Sequence, residues 1–521
     1  MKILFINPSI REEDNPKHVP YGEALVAACS EKWFNAQVAL LDLNILRSVL
    51  KPEQLDEELR TSLEADDWDI VATGGITTAY SSVKRTLEIA KPLCPDSLFV
   101  AGGGLVTSQP LEMMHWLPQI DVGVLGEGEY TIGEVIEHCH DRDFAKTQGV
   151  VYRDRDRKPR LNKERPVMPD LDVLPYPAWD LIHTDLYFRN SSLLLSEEAM
   201  LAKRRLDIAA SRGCSFACKF CYHLGVIGDL KTHYRPDGQL DVGFDNLGVS
   251  RTLRWHSVEY IVDMVKYAKS KWDIDFVDFL DENLVAMHWA SPNRDWLFRL
   301  SEAWVDAGLQ PKCVRQGVEH DPEKCREGIH VGGAAHAGLI QPEILKAMKR
   351  MGFTYVTYGL ESFDDRLLKE MGKAATGALN ERAVKITMDH GIRPIPNQII
   401  GFPDEDFESI RTNMRMWQKL GVVVSPFLCT PYPGSQYYYE YKDKILDQYD
   451  GDLESFVADL GDATKPTAII SKNFNAIELV GLREAMVNFN WRLIDKYEEI
   501  WRRNHGLPPR QHTISPEPPS K

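Results

Sequence analysis

The sequence has no long apolar run. None of its uninterrupted apolar stretches approaches the roughly 20 residues that a transmembrane helix needs, and the opening Met-Lys-Ile-Leu-Phe-Ile-Asn-Pro does not have the pattern of a signal peptide. Hydrophobic residues make up 43% of the 521 residues and charged residues 26%, which are ordinary values for a globular protein. We therefore expect a soluble, cytoplasmic chain of about three domains with a large core.

Clustered positive charge is also scarce. Lys and Arg number 61 against 77 Asp and Glu, so the formal net charge is −16. Binding to nucleic acid without sequence preference requires clustered Lys and Arg, which predicts that this chain has no nucleic-acid partner. A dinucleotide fingerprint and a phosphate-binding P-loop are missing too, so the sequence does not support a nicotinamide or nucleotide cofactor.

Cysteine is sparse, but three of the nine residues fall close together. An odd, small number of cysteines argues against a disulfide framework and favours a reducing compartment. Cys214, Cys218 and Cys221 lie within eight residues, a spacing that lets one loop direct three thiolates at one point. Thiolates are preferred ligands of iron–sulfur clusters and zinc. A closed structural site usually has four protein ligands, whereas the next cysteine is the distant Cys313.

Three interpretations of this loop remain open from the residues alone. The cysteines could bind zinc with His223 as a fourth ligand, could be structural residues that fall together by accident, or could hold a cubane cluster that keeps one iron vacant. The run Ser-Arg-Gly-Cys-Ser-Phe-Ala-Cys-Lys-Phe-Cys-Tyr, with Phe220 before the third cysteine, resembles the radical S-adenosylmethionine (SAM) superfamily. This resemblance implies a [4Fe–4S] cluster on Cys214, Cys218 and Cys221, with SAM chelating the fourth iron next to Phe220.

The first 140 residues alternate between apolar strand patterns and helical stretches. The intervening segments are long enough for crossover helices, which predicts a doubly wound parallel sheet. Glycines follow three of the strands, at Gly74-Gly75, Gly102-Gly103-Gly104 and Gly126. Each could be a simple tight turn, but three at one edge favour a ligand. The predicted strands are Ile3–Ile6, Val38–Leu43, Asp69–Thr73, Leu98–Ala101 and Asp121–Leu125.

This order of strands, glycine loops and helices resembles the cobalamin-binding domain that precedes many radical SAM cores. The resemblance implies cobalamin contacts from Thr77, Gly103, Gly104, Glu127, Gly128 and Glu129. Domains of this kind that ligate cobalt through histidine carry Asp-x-His-x-x-Gly, whereas Asp14, His18 and Gly22 are spaced more widely. We interpret His18 as a loop histidine, and the lower axial ligand is left unassigned.

A second α/β pattern begins at Leu206 and contains six strand–helix units. The resemblance to radical SAM proteins implies a partial (β/α)6 TIM-type barrel, in which reactive groups gather at the carboxyl ends of the strands. The six predicted strands are Leu206–Ser211, Ile274–Leu280, Val331–Ala337, Thr354–Gly359, Pro394–Ile400 and Val422–Leu428.

Further motifs of that family follow these strands in the same order. Tyr358-Gly-Leu-Glu-Ser362 resembles Gly-x-Glu-Ser and implies SAM contacts from Glu361 or Ser362. The segments 397–405 and 430–435 resemble the family's Gly-x-Pro-x-Glu and Pro-x-Pro-Gly-Thr. Many relatives place Gly-Gly-Glu after the second strand to receive the SAM amino group. Here Asp281 and Glu282 are the candidates for that role, and the alternative is a pair of solvated loop acids.

Other cysteines and histidines have weaker patterns. Cys313, Cys325, His320 and His330 could bind a second metal, but their spacing matches no familiar site, so loop thiols and scattered histidines are the favoured interpretation. Cys429 lies next to the predicted sixth strand and is interpreted as a small buried hydrophobic residue.

The predicted organisation has five parts. Residues 1–140 form the cobalamin-binding-like domain, 141–205 a proline-rich connector, 206–437 the radical SAM core, 438–505 a helical segment and 506–521 a disordered tail. Asn475 and Glu478 form a capping pair that predicts one long helix through Glu499.

The resemblance also implies the chemistry. An electron given to the cluster cleaves SAM to methionine and a 5′-deoxyadenosyl radical, which abstracts hydrogen from an unreactive carbon; methylcobalamin can then supply a methyl group. The favoured function is C-methylation of a small metabolite, with flavodoxin or ferredoxin as reductant. The alternatives are a cyclase or rearrangement enzyme of the same type, acting for example on a tetrapyrrole, and a non-catalytic corrinoid or iron–sulfur carrier.

Overall fold

The computed structural model describes residues 1–10, 16–191, 202–222, 230–236, 238, 240–244, 252–318 and 327–509. In chain order its strands are β1 Lys2–Asn7, β2 Gln37–Asp42, β3 Ile70–Gly74, β4 Leu98–Gly102, β5 Val122–Val124, β6 Val150–Arg153, β7 Pro159–Leu161, β8 Arg205–Ile208, β9 Ser211–Arg212, β10 Leu230–Tyr234, β11 Leu240–Phe244, β12 Arg254–Trp255, β13 Phe276–Phe279, β14 His330–Ala335, β15 Tyr355–Glu361, β16 Arg393–Ile400 and β17 Phe427–Leu428.

The helices lie between these strands and after the last of them. They are α1 Tyr21–Phe34, α2 Leu43–Leu46, α3 Pro52–Glu64, α4 Tyr80–Leu93, α5 Gly103–Ser108, α6 Pro110–Trp116, α7 Thr131–Glu137, α8 Thr184–Ser191, α9 Val258–Trp272, α10 Ala286–Ala290, α11 Trp296–Asp306, α12 Lys312–Gln316, α13 Pro342–Met351, α14 Asp365–Glu370, α15 Gly377–Asp389, α16 Phe407–Leu420, α17 Gln436–Glu440, α18 Lys442–Gln448, α19 Leu453–Ala458, α20 Ala476–Val487 and α21 Trp491–Asn504.

The first sheet has the strand order β2-β1-β3-β4-β5-β6-β7. Pairing is parallel from β2 to β5, which confirms the predicted doubly wound sheet, whereas β6 and β7 pair antiparallel at one edge. Alternate residues of β1 serve the two faces: Ile3 and Phe5 pack in one hydrophobic cluster, Leu4 and Ile6 in another. Burial on both faces explains why these strands are apolar runs. The sequence did not anticipate β6 and β7, which fall within residues 141–205.

The second sheet is a half-barrel with the order β17-β16-β15-β14-β13-β8, and all of its pairs are parallel. This confirms a partial barrel with the six predicted strands. The last strand is much shorter than predicted, because residues 422–426 are not part of the ladder and only Phe427–Leu428 pair with β16. Pro426 has no backbone N–H to donate, which limits pairing at that end.

The two sheets share one hydrophobic core. Leu4 and Ile6 of β1 belong to the same buried cluster as Leu206 and Ile208 of β8. β9, which lies between β8 and the cysteine loop in the chain, pairs antiparallel with β12. Among the described residues, no helix has the length and apolar character that a membrane crossing requires.

The C-terminal helical segment corrects one prediction. The Asn475–Glu478 capping box is present at the start of α20, but the helix ends at Val487 and a second helix, α21, begins at Trp491. Phe489 has a left-handed φ of 50°, and the side chain of Asn490 accepts a hydrogen bond from Leu493 N. A non-glycine residue in this conformation ends the helix, so the expected single helix is two.

Candidate active site

A cavity of about 490 Å³ lies between the carboxyl edges of the two sheets. Its walls come from both sheets, which is the arrangement expected of ligand sites in parallel α/β folds. From the first domain it is lined by residues 73–76 at the end of β3, 100–104 at the end of β4 and the start of α5, and 126–129 after β5; from the second domain it is lined by Ala209 and residues 211–213, which follow β8, and by residues 280–282, which follow β13. Gly103, Gly104, Glu127, Gly128, Glu129, Asp281 and Glu282, all candidates from the sequence, are among the lining residues.

The glycines of the first edge let two loops touch. Gly103 has a left-handed φ of 77°, and a Cβ there would lie 2.6 Å from the carbonyl oxygen of Gly75. Gly75 N donates to Gly102 O at 3.3 Å, and Leu105 N donates to Gly75 O at 3.0 Å. These glycines therefore allow close approach of backbone to backbone as well as forming the cavity wall.

Thr77 does not line the cavity. Its backbone N–H and its hydroxyl both lie 3.2 Å from the hydroxyl oxygen of Tyr222, which directly follows Cys221. Thr77 is 1% exposed. The structure thus uses Thr77 to contact the end of the cysteine loop, a role that the sequence did not suggest.

Glu127 and Glu129 form ion pairs with Arg212 of β9 and Arg254 of β12, the two strands of the short antiparallel pair. Arg212, two residues before Cys214, pairs with Glu129 and lies 3.2 Å from Glu127, while Arg254 lies 2.7 Å from Glu127. Burial alone would raise the pKa of Glu127, but the two arginines outweigh it and hold the pKa below its usual value. Arg212 was missed as a site residue; its place in the run Ser-Arg-Gly-Cys was the signal available.

The cysteine loop lies at the barrel mouth, after β9. Cys214 and Cys218 are buried, Cys221 is half-buried, and all three are thiols outside any disulfide. Cys221 N donates to Cys218 O at 3.0 Å, which turns the chain between the second and third thiols. Three thiols on one turn are a donor set that fits an iron–sulfur cluster. His223, the possible zinc ligand, lies outside the described residues.

The two acids after β13 differ in their surroundings. Asp281 is buried, accepts a hydrogen bond from Ala210 N at 2.9 Å and another from the hydroxyl of Ser211. Burial raises the pKa of Asp281 to about 6, against the effect of these hydrogen bonds. Asp281 thus fixes the turn after β8, whereas Glu282 is exposed at the cavity wall.

Glu361 and Ser362 end β15 in a constrained conformation. Glu361 has a left-handed φ of 60°, and its Oε1 lies 3.0 Å from Lys373 Nζ. The hydroxyl of Ser362 donates to Asn413 Oδ1 at 3.2 Å and accepts from Asp364 N at 3.1 Å. Ser362 is fully buried, so its hydroxyl holds the loop together, whereas Glu361 belongs to a buried charge pair.

Two further polar side chains lie next to this pair in the barrel. Gln398, which is in register with Glu361, is fully buried, and neither amide atom has a hydrogen-bond partner among the described residues. Glu405 is also fully buried; its Oε2 accepts from Gly401 N, and its Oε1 has no partner within the same part of the chain. Burial raises the pKa of Glu405 to about 8. Orphaned buried polar atoms are rare in folded proteins, and here they fit a site that takes a polar ligand.

The histidines and cysteines with weaker sequence patterns lie in different parts of the fold. His18 lines the cavity, and its Nδ1 lies 3.1 Å from Asp207 Oδ2 on β8. Cys313 Sγ lies 3.6 Å from His330 Nε2, while Asp14, His320 and Cys325 fall outside the described residues. Cys429 is buried in a small apolar cluster, as its interpretation as a hydrophobic residue requires.

Comparison with known proteins gives two family matches. The B12 binding domain model matches residues 11–136, and the Radical SAM superfamily model matches residues 208–416. The first match covers the parallel strands β2 to β5, and the second begins at the end of β8.

Individual relatives are distant but cover most of the chain. An uncharacterized methyltransferase of Pyrococcus horikoshii is 27% identical over 375 residues, 71% of this chain and 68% of that protein. The anaerobic magnesium-protoporphyrin IX monomethyl ester cyclase of Cereibacter sphaeroides is 23% identical over 505 residues, 94% of this chain and 72% of that protein. The radical SAM methyltransferase TsrM of Kitasatospora setae has a similar fold, with a TM-score of 0.60, 16% identity, and coverage of 85% of this chain and 76% of that one.

Proposed function

We propose that this chain, which belongs to the radical SAM superfamily and carries a B12-binding domain, transfers a methyl group to an unactivated carbon of a small molecule. Its cofactors are a [4Fe–4S] cluster, SAM and cobalamin. An enzyme of this kind also needs an external reductant. For that role we propose a reduced flavodoxin or ferredoxin, and for the compartment the cytoplasm.

The shared cavity is the observation that carries the proposal. The glycine loops of the first sheet and the residues next to the cysteine loop line one space of about 490 Å³. A methyl donor held at the first edge and a radical generated at the second would act on the same substrate only if both edges faced one cavity. A carrier protein would not need this arrangement.

The chain's own residues would bind the cofactors, orient them and enclose them in the cavity. Cys214, Cys218 and Cys221 would hold the cluster, and the loops around Gly103 and Gly128 would receive the corrinoid. When bound, these groups supply the radical and the methyl group. Arg212 joins the two edges through Glu127 and Glu129, which fixes the distance between the cofactor-binding loops.

A second candidate is cyclisation on the same machinery. The Cereibacter cyclase aligns with 94% of this chain, so its likeness covers both domains. The two candidates differ in the fate of the SAM methyl group, which enters the product only in methyl transfer.

The test uses the full chain, reconstituted anaerobically with iron, sulfide and cobalamin. With reductant and SAM labelled in its methyl group, the wild type should form 5′-deoxyadenosine and label the corrinoid, and a product with the label would support methyl transfer. An unlabelled product formed with loss of hydrogen would favour cyclisation.

The matched pair of variants is Cys218→Ala and Cys94→Ala. Cys218→Ala should abolish 5′-deoxyadenosine formation and leave cobalamin bound, because the thiol belongs to the second sheet's loop. Cys94 is a buried cysteine of the first domain away from the cavity, so its alanine variant should cleave SAM normally. Absence of 5′-deoxyadenosine from the wild type, or normal turnover by Cys218→Ala, would overturn the radical enzyme.

A further inference from the structure

A buried cation lies beside the cysteine loop. Lys373 is 8% exposed, and its Nζ lies 3.0 Å from Glu361 Oε1. The same Nζ lies 5.8 Å from the ring centroid of Phe220, the residue before Cys221. Neither the motifs nor the proposed reaction assigns a function to Lys373.

The fold builds a specific place for this side chain. Lys219 N donates to Met371 O at 2.9 Å, so the turn that carries Lys373 is bonded to the cysteine loop. At Gly372, whose φ is 70°, a Cβ would lie 3.0 Å from Ala217 O, which means that the two segments are in close contact.

The backbone of Lys373 and strand β15 also help to position the Lys373–Glu361 pair. His336 Nε2 lies 2.9 Å from the carbonyl oxygen of Lys373. A Cβ on Gly359 would lie 3.0 Å from Lys373 Nζ and would overlap Glu361 Oε1, so the glycine leaves the space that the charge pair occupies.

Lys373 is charged in this setting. Burial by itself would lower the pKa of its ammonium group, but the carboxylate of Glu361, 3.0 Å away, outweighs burial and raises the pKa. A positive charge therefore lies next to the cysteine loop, 5.8 Å from the ring centroid of Phe220, and it is paired with the carboxylate of Glu361 at 3.0 Å.

We propose that Lys373 and Glu361 form a charge pair that sets the reduction potential of a cluster held by Cys214, Cys218 and Cys221. Reduction adds one negative charge to the cluster. A nearby ammonium stabilises the reduced state and raises the potential, and a nearby carboxylate does the opposite; both effects are large where water is excluded. The pair acts on electron uptake, so this inference does not depend on which molecule is methylated.

The experiment is a redox titration of the cluster-loaded chain without SAM, monitored by electron paramagnetic resonance. Lys373→Met should lower the ratio of reduced to oxidised cluster about tenfold at a fixed applied potential, a shift of about 59 mV for a one-electron couple. Glu361→Gln, which has the same shape but no charge, should shift the ratio in the opposite direction. Lys373→Arg keeps the positive charge and should keep the ratio near the wild-type value.

Lys369→Met is the matched control. Lys369 is exposed on α14, four residues away in sequence, so its loss removes the same charge from a place where water screens it and should leave the potential unchanged. If Lys373→Met fails to take up iron, the reduction potential measured for Glu361→Gln still tests the proposal. Equal shifts in Lys369→Met and Lys373→Met, or an unchanged potential in Glu361→Gln, would overturn the inference while leaving methyl transfer to its own test.

Discussion

The two sheet edges that face the cavity are built in opposite ways. The first edge has few side chains: Gly75 and Gly103 bring two loops into backbone contact, and the acids Glu127 and Glu129 are paired with Arg212 and Arg254 of the β9–β12 pair. The second edge depends on buried polar side chains, among them the Lys373–Glu361 pair and the orphaned atoms of Gln398 and Glu405.

This difference matches what each edge has to do. Glycine loops form a broad wall against which a large, flat ligand can lie without displacing side chains. Buried charges and amides act over short distances on one particular group, and they cost stability unless that group is present. The first edge thus provides room, while the second provides directed interactions.

The largest expected effect is at the ion pairs that join the edges. Arg212→Met would leave Glu127 and Glu129 without their shared partner in a mostly buried position, which should lower the free energy of unfolding by about 3 kcal/mol. The measurement is urea unfolding of the cluster-loaded chain, with cobalamin retention recorded in parallel.

Arg299→Met is the control for this variant. Arg299 pairs with Glu259 at 3.2 Å, but the two side chains are 53% and 70% exposed, so the loss should be less than about 1 kcal/mol. Equal losses in the two variants would mean that the edges are not joined by charge.

A smaller effect is expected where the first edge depends on glycine. Gly103→Ala combines a left-handed residue with a Cβ 2.6 Å from Gly75 O, and should cost about 2–3 kcal/mol and weaken cobalamin binding, while iron uptake is kept. Gly421→Ala has the same conformational cost (φ 66°) in open space and should lose only about 1–2 kcal/mol. If the two variants lose the same free energy and both keep cobalamin, the contact between the loops is unimportant.

The smallest effect tests the second edge through pH. The pKa of Glu405 is about 8 in the folded chain and about 4.5 when unfolded, so between these values the folded state keeps a proton that the unfolded state has lost. Stability of the wild type therefore falls as pH rises through this window. Glu405→Gln has no such proton, and from about pH 6 to pH 7.5 its stability should gain about 2 kcal/mol relative to the wild type. A difference that does not change with pH would show that burial does not govern this carboxyl.

The two edges also differ in how far the sequence predicts them. The five parallel strands of the first sheet were predicted within about two residues, because strands buried on both faces leave continuous apolar runs, whereas the antiparallel β6 and β7 were missed. The cysteine spacing likewise predicted a metal-binding loop. Both features are local, so neighbouring residues carry them.

The interactions across the structure were not predictable. Glu361, a SAM candidate from its motif, is paired with Lys373, and Thr77, a cobalamin candidate, contacts Tyr222. Such contacts depend on which segments the fold brings together, and no local pattern marks a lysine that becomes buried. The break between α20 and α21 depends on a single left-handed residue, Phe489, which the helical periodicity does not reveal.

The contacts at the two ends of the cysteine loop have a consequence for maturation. Arg212 before the loop binds Glu127 and Glu129, and Tyr222 after it binds Thr77, so both ends are fastened to the first domain. That domain leaves the ribosome before the loop does. We therefore expect the three thiols to reach their folded arrangement only after the loop has docked on the first domain, so that iron delivered earlier would meet a loop without these contacts.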